Sequence, residues 1–289
     1  MRTIRAPCTF LVVMTILAAC SSGNVENDGR GVPPGPVVRR SPKDVVFRID
    51  TRGGFTAPEY QLALVPEVTV YGDGRVIVNG PVTEQYPPHA RSNLLTGTLS
   101  HAELMALADQ AARLDLLRPR SFGNPGVSDM PTTTVTINVE GRHQLRAYAA
   151  DYTLVTGDPG VSPSQRDARR RLTAMMHALT DTATKVATDR YAASEVAIYV
   201  QAGGPTAGRD TGVIPNSIEW PLGDLATLGR SDGPAVPLPS RRCIVLTGAD
   251  ARSALSAAAN ATSITRWQSH GVEYTIVWRP LLPDEHSCP

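Results

Sequence analysis

The residues with the clearest chemical use in this chain of 289 residues are its four cysteines. Cys20 directly follows an uncharged, mostly apolar run that extends from Phe10 to Ala19, and two arginines stand among the first five residues. The run is too short to cross a bilayer, which takes about 20 apolar residues. A basic start followed by a short apolar run predicts a signal peptide over residues 1–19.

The segment Leu17 to Cys20 resembles the lipobox of bacterial lipoproteins, in which an aliphatic residue and two small residues precede a cysteine. In that class of protein the cysteine thiol is diacylated and the signal peptide is cut just before it. The resemblance implies that Cys20 is the lipidated first residue of the mature chain, held at the outer face of the cell membrane. Two or three acyl chains make a stable anchor, because each buried methylene contributes about 0.8 kcal/mol. The alternative is an ordinary secretory signal with a chance cysteine.

Cys243 and Cys288 remain once Cys8 leaves with the signal peptide and Cys20 carries the lipid. An exported chain with an even number of remaining cysteines predicts a disulfide between them. The alternative is a thiol nucleophile or a metal pair. Cys288 is the penultimate residue, where a catalytic geometry is hard to hold and a staple for the tail is useful.

Three other groups have the residue types that catalysis or binding uses. Gly229 to Gly233 matches the G-x-S-x-G pattern, but prolines follow where a nucleophile elbow needs a helix, so we predict a loop. The six histidines form no His-Glu-x-x-His motif, so we predict no metal site. Four arginines between Arg166 and Arg171 crowd one helix end, which predicts a solvated face, with contact to anionic headgroups or a wall polymer as the alternative.

The overall charge argues against a nucleic-acid partner. The whole chain has 28 basic and 27 acidic residues, and removal of the signal peptide takes away Arg2 and Arg5. The mature chain is therefore close to one negative charge, and it has no general basic field that would attract nucleic acid.

The segments that would position these residues begin with a tether. Residues 20–43 are rich in glycine, proline and serine and contain too few apolar residues for a core, which predicts a flexible spacer after Cys20. About 245 residues follow, which is long for one domain and comfortable for two. We place the boundary so that residues 44–188 form the first domain and residues 190–289 the second.

The first domain is predicted to repeat a hairpin followed by a helix. Asp73-Gly74 and Glu140-Gly141 stand between β-rich runs, where positive φ angles are needed for tight turns. Ser100 and Ser162 each begin a capping box ahead of a helical apolar stripe. This order predicts an α+β fold, an antiparallel sheet with its helices on one face.

The second domain is predicted to be a mixed α+β domain stapled by the Cys243–Cys288 disulfide. Three β-rich runs, 195–200, 243–246 and 272–278, predict strands. Residues 247–262 predict an alanine-rich helix that Thr247 and Asp250 cap, and residues 220–228 predict a short helix ended by Gly229.

Several stretches of the first domain together resemble a family of exported bacterial domains without assigned function, over residues 44–188. The stretches are Arg52–Phe55, Val70–Arg75, Leu99–Leu104 and Ser128–Thr133. The whole chain, with Trp220–Leu225 and Arg279–Pro283, is similar to actinobacterial secreted proteins. The resemblance implies residence in the cell envelope and implies no activity and no catalytic residues.

These observations favour a membrane-anchored envelope lipoprotein that acts as a non-catalytic binding or interaction module. Its expected partners are the membrane, through the lipid on Cys20, and an envelope protein or wall polymer. We predict no cofactor, no metal and no catalytic residue. The alternative is a cell-wall or envelope hydrolase whose site is assembled from scattered residues, such as the loop carboxylates Asp129, Asp151 and Asp158.

Overall fold

Two β-sheets, with α-helices packed against them, account for the described part of this protein in the computed structural model. The structure describes residues 41–152, 160–203, 212–228 and 241–288, together with the backbone of residues 230–231. Cys20, the predicted signal peptide and most of the predicted tether lie outside these residues. The α+β class predicted from the sequence is confirmed.

The first sheet is antiparallel and has seven strands in the order β6-β5-β1-β2-β3-β4-β7. Its strands are β1 (Val45–Gly53), β2 (Val68–Tyr71), β3 (Arg75–Asn79), β4 (Leu94–Thr98), β5 (Pro131–Asn138), β6 (Arg142–Tyr148) and β7 (Asp189–Arg190). The predicted hairpins are confirmed as β2–β3 and β5–β6, and Gly74 adopts the positive φ of 85° that its turn needs.

Two helices cover one face of this sheet, as predicted. They are α2 (His101–Arg113) and α3 (Pro163–Val186), and both predicted capping boxes are present, at Ser100 and at Ser162. Their buried stripes pack on alternate residues of the strands, such as Ile49, Val70 and Val135, to form the larger core. A short helix that the sequence did not predict, α1 (Pro58–Ala63), precedes β2.

The second sheet has six strands in the order β10-β11-β8-β13-β12-β9, and only the β12–β9 pair is parallel. Its strands are β8 (Glu195–Ala202), β9 (Ser217–Glu219), β10 (Arg230–Ser231), β11 (Arg242–Thr247), β12 (Arg266–Ser269) and β13 (Val272–Pro280). The chain's three tryptophans, Trp220, Trp267 and Trp278, pack together in its core with ring centroids 5.3–6.2 Å apart.

Two helix predictions in this half need correction. Residues 220–228 form turns rather than a helix. The side chain of Asp224 accepts a hydrogen bond from the Ala226 amide, and such a local bond competes with the hydrogen-bond pattern of a helix. The helix after β11 is α4 (Gly248–Ala257), followed by one 3₁₀ turn to Asn260. Thr247 stands at its N-cap, but its side chain makes no capping hydrogen bond.

The C-terminal tail and α1 lie between the two sheets. Leu282 of the tail packs on the first sheet against Tyr71 and Ile77, on the face opposite the helices. Leu62 of α1 packs on the second sheet in a cluster with Cys288. The described residues cluster as one compact unit. The predicted division at residues 188–190 falls at β7, the last strand of the first sheet, and the second sheet begins with β8 at Glu195. Independent folding of the two domains stays a prediction.

Arg169 is a buried cation that holds two loops of the first half in place. It is 5% exposed and donates hydrogen bonds to the backbone carbonyls of Phe122, Gly123, Tyr148 and Ala149, at 2.6–3.2 Å. Burial lowers its pKa below the ordinary arginine value, because no carboxylate of the described residues pairs with it. The guanidinium therefore serves as a connector between α3 and the two loops.

Replacing Arg169 with methionine is expected to lower the free energy of unfolding by about 2–3 kcal/mol, because several carbonyls lose their donor. Urea denaturation followed by circular dichroism measures the change. Arg170→Met is the matched control, since that side chain is 74% exposed in its pair with Asp167 and its loss should cost less than about 0.5 kcal/mol. Equal effects of the two substitutions would contradict the structural role of Arg169.

Candidate functional site

An open groove of about 720 Å³ crosses the first sheet on the face opposite α2 and α3. Polar side chains of three adjacent strands form its floor. They are Arg48, Asp50 and Arg52 of β1, Thr132, Thr134, Thr136 and Asn138 of β5, and Arg142, Gln144 and Arg146 of β6. Lys43 and Asp44 line one end, where the chain enters β1.

The groove exists because these strands alternate between an apolar and a polar face. On β6, Leu145 and Ala147 are buried under the helices, while Arg142, Gln144 and Arg146 are exposed on the other side. Successive side chains of a strand point to opposite faces, so every second residue reaches the groove.

The strand register places the groove residues in rows across the sheet. Asp50 pairs with Thr134, and Thr134 pairs with Arg146 on the other side. The next row contains Arg48 and Thr136, and Thr136 pairs with Gln144. Neighbouring rows on one face are about 7 Å apart along the strands. The groove therefore presents a regular grid of hydroxyl, amide and guanidinium groups.

The C-terminal tail forms one wall of the groove through Asp284. The Asp284 carboxylate accepts hydrogen bonds from Arg48 Nη2 at 2.8 and 2.9 Å and from the Tyr71 hydroxyl at 2.7 Å. Burial alone would raise the pKa of Asp284, but the hydrogen bonds and charge of Arg48, helped by Tyr71, outweigh it and hold that pKa below its ordinary value. Burial, which is the larger cause, and the nearby Asp284 carboxylate together raise the pKa of the Tyr71 hydroxyl.

Replacing Asp284 with asparagine is expected to destabilise the protein by about 1–2 kcal/mol at neutral pH, because a partly exposed charged hydrogen bond is lost. Since the folded-state pKa of Asp284 is lowered, its contribution is present above the unfolded value, about 3.9, and is lost as the pH falls through the folded value. Urea denaturation should therefore show a difference in the free energy of unfolding between wild type and variant that is smaller at pH 3 than at pH 7.

Asp181→Asn is the control for this pH dependence. Asp181 is exposed on α3 and has no ion-pair partner among the described residues, so its replacement should change stability little at either pH. A gap for Asp284→Asn that stayed constant from pH 7 to pH 3 would show that the ionised carboxylate does not stabilise the fold.

Arg142 and Arg146 differ from the other groove arginines because nothing neutralises them within the described part of the chain. Arg48 pairs with Asp284, and Arg52 pairs with Asp50 at 2.8 Å. By contrast, neither Arg142 nor Arg146 has an ion pair or a side-chain hydrogen bond to any described residue. The groove residues carry five positive and three negative side chains, so the groove is net positive, whereas the whole chain has a formal charge of only +1.

The predicted disulfide is confirmed and lies at the other end of the tail. Cys243 of β11 and Cys288 are bonded, with Cα atoms 6.2 Å apart. Cys243 is buried in the cluster that Leu62 and Leu281 share, so the bond ties the tail to the second sheet. The tail is thus fixed at Cys288 and contributes Asp284 to the groove. This excludes a free thiol nucleophile at either position.

The four arginines of the α3 start do not form an open basic patch. Arg169 points inward, Arg166 donates to the carbonyl of Val161, and Arg170 and Arg171 pair with Asp167 at 2.9 and 2.7 Å. Local partners therefore satisfy the cluster that the sequence offered as an alternative surface for headgroups or a wall polymer.

The groove was not predicted from the sequence, although part of its signal is present there. The alternation Arg142, Gln144, Arg146 is readable as one polar strand face. Of the loop carboxylates, Asp129 and Asp151 stand in turns beside β5 and β6 and do not line the groove, and Asp158 lies outside the described residues.

The described ranges contain neither a metal cluster nor a membrane-spanning helix. No set of three or more histidine, cysteine, aspartate or glutamate side chains there comes close enough to hold a metal ion. None of the helices within those ranges has the length and hydropathy that crossing a membrane requires. Comparison with family models, with curated proteins and with solved structures finds no match to this chain.

Proposed function

We propose that this chain is a membrane-anchored lipoprotein of the bacterial cell envelope and that the groove on its first sheet is a non-catalytic binding site. The observation that carries the proposal is the groove itself, a net positive surface on a rigid sheet with two arginines, Arg142 and Arg146, that lack partners among the described residues. The lipobox that ends at Cys20 supports the anchor.

The chemistry of the groove favours binding over hydrolysis. Among the described residues that line it there is no histidine, serine or cysteine that could act as a nucleophile or a general base. Asp50 and Asp284 are both held by arginines, and a carboxylate with a lowered pKa, as at Asp284, is a poor proton donor at neutral pH. Asp44 accepts a hydrogen bond from the Ser41 amide in a local turn.

The position of the groove fits an anchored protein. Lys43 lines the groove at the point where the chain leads back toward Cys20. The 23 residue-to-residue steps from Cys20 to Lys43 span on the order of 80 Å at full extension. A lipid on Cys20 would therefore keep the groove within that distance of the membrane surface, where envelope polymers and proteins are its available partners.

Co-sedimentation with purified envelopes of the bacterium tests the binding site. The mature protein, residues 20–289 with Cys20→Ser to avoid the lipid, is compared with the same protein carrying Arg142→Ala and Arg146→Ala. Loss of two charged contacts should weaken binding roughly tenfold or more. The control, Arg113→Ala with Arg252→Ala, removes the same charge from exposed positions outside the groove and should bind as the parent does.

Two further readings make the test decisive. Release of soluble sugar or peptide fragments from the envelopes by the parent protein would favour the hydrolase alternative. Unchanged sedimentation of the Arg142 and Arg146 variant would show that the groove is not the binding site. Mass spectrometry of the natural protein tests the anchor, since an unmodified Cys20 or cleavage elsewhere would contradict lipidation.

A further inference from the structure

The groove already contains two examples of how its arginines hold a carboxylate. Arg48 holds both oxygens of Asp284 through Nη2, and Arg52 holds Asp50 through Nε. Arg142 and Arg146 extend from the same sheet face, one strand beyond β5, and have no carboxylate among the described residues. The guanidinium fork matches a carboxylate in shape as well as charge. An outside carboxylate is therefore the group that these two positions lack.

The two arginines are four residues apart on one strand, so their Cα atoms are separated by about 13 Å. At this separation each arginine can hold an acidic group of its own. A ligand with acidic groups at intervals along its length would use both positions at once. A chain with repeated carboxylates therefore fits this pair of positions.

The residues between the arginines indicate what the rest of that chain is made of. Thr132, Thr134 and Thr136 form a row of hydroxyls along β5, and Gln144 adds an amide between the arginines. Each of these groups can both donate and accept, which matches sugar hydroxyls that do the same. Within the part of the chain that the structure describes, the groove lining contains no apolar side chain larger than Val45, so the apolar side chains of a peptide would find no pocket there.

An exposed aromatic stands just beyond the end of the groove at Gly53. Phe55 is 90% exposed, and its loop is fixed because its amide donates to the carbonyl of Asp129 at 3.0 Å. Gln61 holds the neighbouring Gly53 by two hydrogen bonds of 3.0 Å. A single exposed apolar side chain is ordinary on a protein surface. Its place at the end of a groove of hydroxyls and guanidinium groups suits stacking on the apolar face of a sugar ring.

We infer that the groove binds a carboxylated glycan, with Arg142 and Arg146 on its carboxylates, the β5 threonines on its hydroxyls and Phe55 against a sugar face. This inference rests on the proposed function, because it names the ligand class of the same site. It commits to carboxylates, and polyphosphate binding is the test of that choice, because a guanidinium fork also matches phosphate.

Calorimetric titration with defined oligomers of polygalacturonate tests the inference on the mature protein with Cys20→Ser. Binding with a dissociation constant below about 1 mM is expected and should weaken as salt rises. The methyl-esterified oligomer has the same sugars without charge, and poly-glutamate has the carboxylates without sugars. Both should bind at least tenfold more weakly. Inorganic polyphosphate should likewise bind more weakly than polygalacturonate.

Variants separate the two parts of the site. Arg142→Ala with Arg146→Ala should weaken polygalacturonate binding tenfold or more, and Phe55→Ala should weaken it several-fold without changing its salt dependence. Arg113→Ala with Arg252→Ala should leave it unchanged, and unaltered circular dichroism shows that each variant folds.

The outcomes distinguish this inference from the proposed function. Equal or tighter binding of poly-glutamate or polyphosphate overturns the glycan assignment. Absence of polygalacturonate binding, while envelopes still bind through the groove, overturns the ligand class and leaves the proposed function standing. Loss of both kinds of binding overturns both.

Discussion

Replacing Arg279 with methionine is expected to lower the free energy of unfolding by about 3–5 kcal/mol. Arg279 is 1% exposed on β13 and pairs with both oxygens of Glu285, at 2.8 and 3.1 Å. It also donates to the carbonyl of Leu64 at 2.8 Å, at the end of α1. The substitution leaves the Glu285 carboxylate, which is 17% exposed, without its counter-charge. One side chain thus connects the second sheet, the tail and α1.

Urea denaturation followed by tryptophan fluorescence measures this loss, because all three tryptophans lie in the core that β13 helps to form. Arg266→Met is the matched control on the neighbouring strand. Its pair with Glu273 is 3.6 Å long and both side chains are more than 40% exposed, so about 0–1 kcal/mol is expected. If Arg279→Met cost no more than this control, the buried pair would not stabilise the tail.

A double variant tests the physical cause. Most of the expected loss of stability comes from leaving the Glu285 carboxylate partly buried without a counter-charge, rather than from the lost attraction between the two side chains. Glu285→Leu in the Arg279→Met background removes that carboxylate and should recover part of the lost stability. A double variant that is less stable by the full sum of the single effects would contradict this explanation.

The elements that the sequence predicts well are those that local rules determine. The turn at Gly74 and the two capping boxes at Ser100 and Ser162 depend on residues within four positions of each other. The disulfide was predictable for a different reason, since the predicted export and processing would leave only Cys243 and Cys288. No tertiary knowledge is needed for either argument.

Strand β4 shows why other elements were missed. Gly97 stands in the middle of this strand, where glycine weakens a strand pattern. A Cβ at this position would lie 2.0 Å from the carbonyl oxygen of Val186, at the end of α3. The glycine is therefore required by a contact between residues about 90 positions apart, and no pattern within β4 reveals that contact.

The groove was hidden for a similar reason. The polar alternation of β6 is visible in the sequence, but it is also typical of any solvated strand face. Only the pairing of β1 with β5, more than 80 residues away along the chain, sets Arg48, Thr136 and Gln144 in one row. The wall at Asp284 depends on the tail returning from the second sheet, a path that composition and periodicity do not predict.

Replacing Cys243 and Cys288 with alanine is expected to lower the free energy of unfolding by about 4 kcal/mol, by a different route from Arg279→Met. The bond closes a loop with a sequence separation of 45 residues and so restricts the unfolded chain. Without the bond the unfolded chain regains conformational entropy, which favours unfolding. The folded tail keeps its other contacts, which include buried Leu282 and the pairs at Asp284 and Glu285. The native fluorescence spectrum should therefore stay unchanged while the urea midpoint falls.

Wild-type protein that has been reduced and alkylated only after urea unfolding serves as the control for oxidation state. A changed native spectrum in the alanine variant would show that the bond shapes the folded tail and not only the unfolded chain. Combining the alanine substitutions at Cys243 and Cys288 with Arg279→Met separates an effect on the unfolded chain from an effect on the folded tail. Because the disulfide acts on the unfolded chain and Arg279 acts on the folded tail, the two losses should add. A combined loss well beyond the sum would mean that each holds the tail in place for the other.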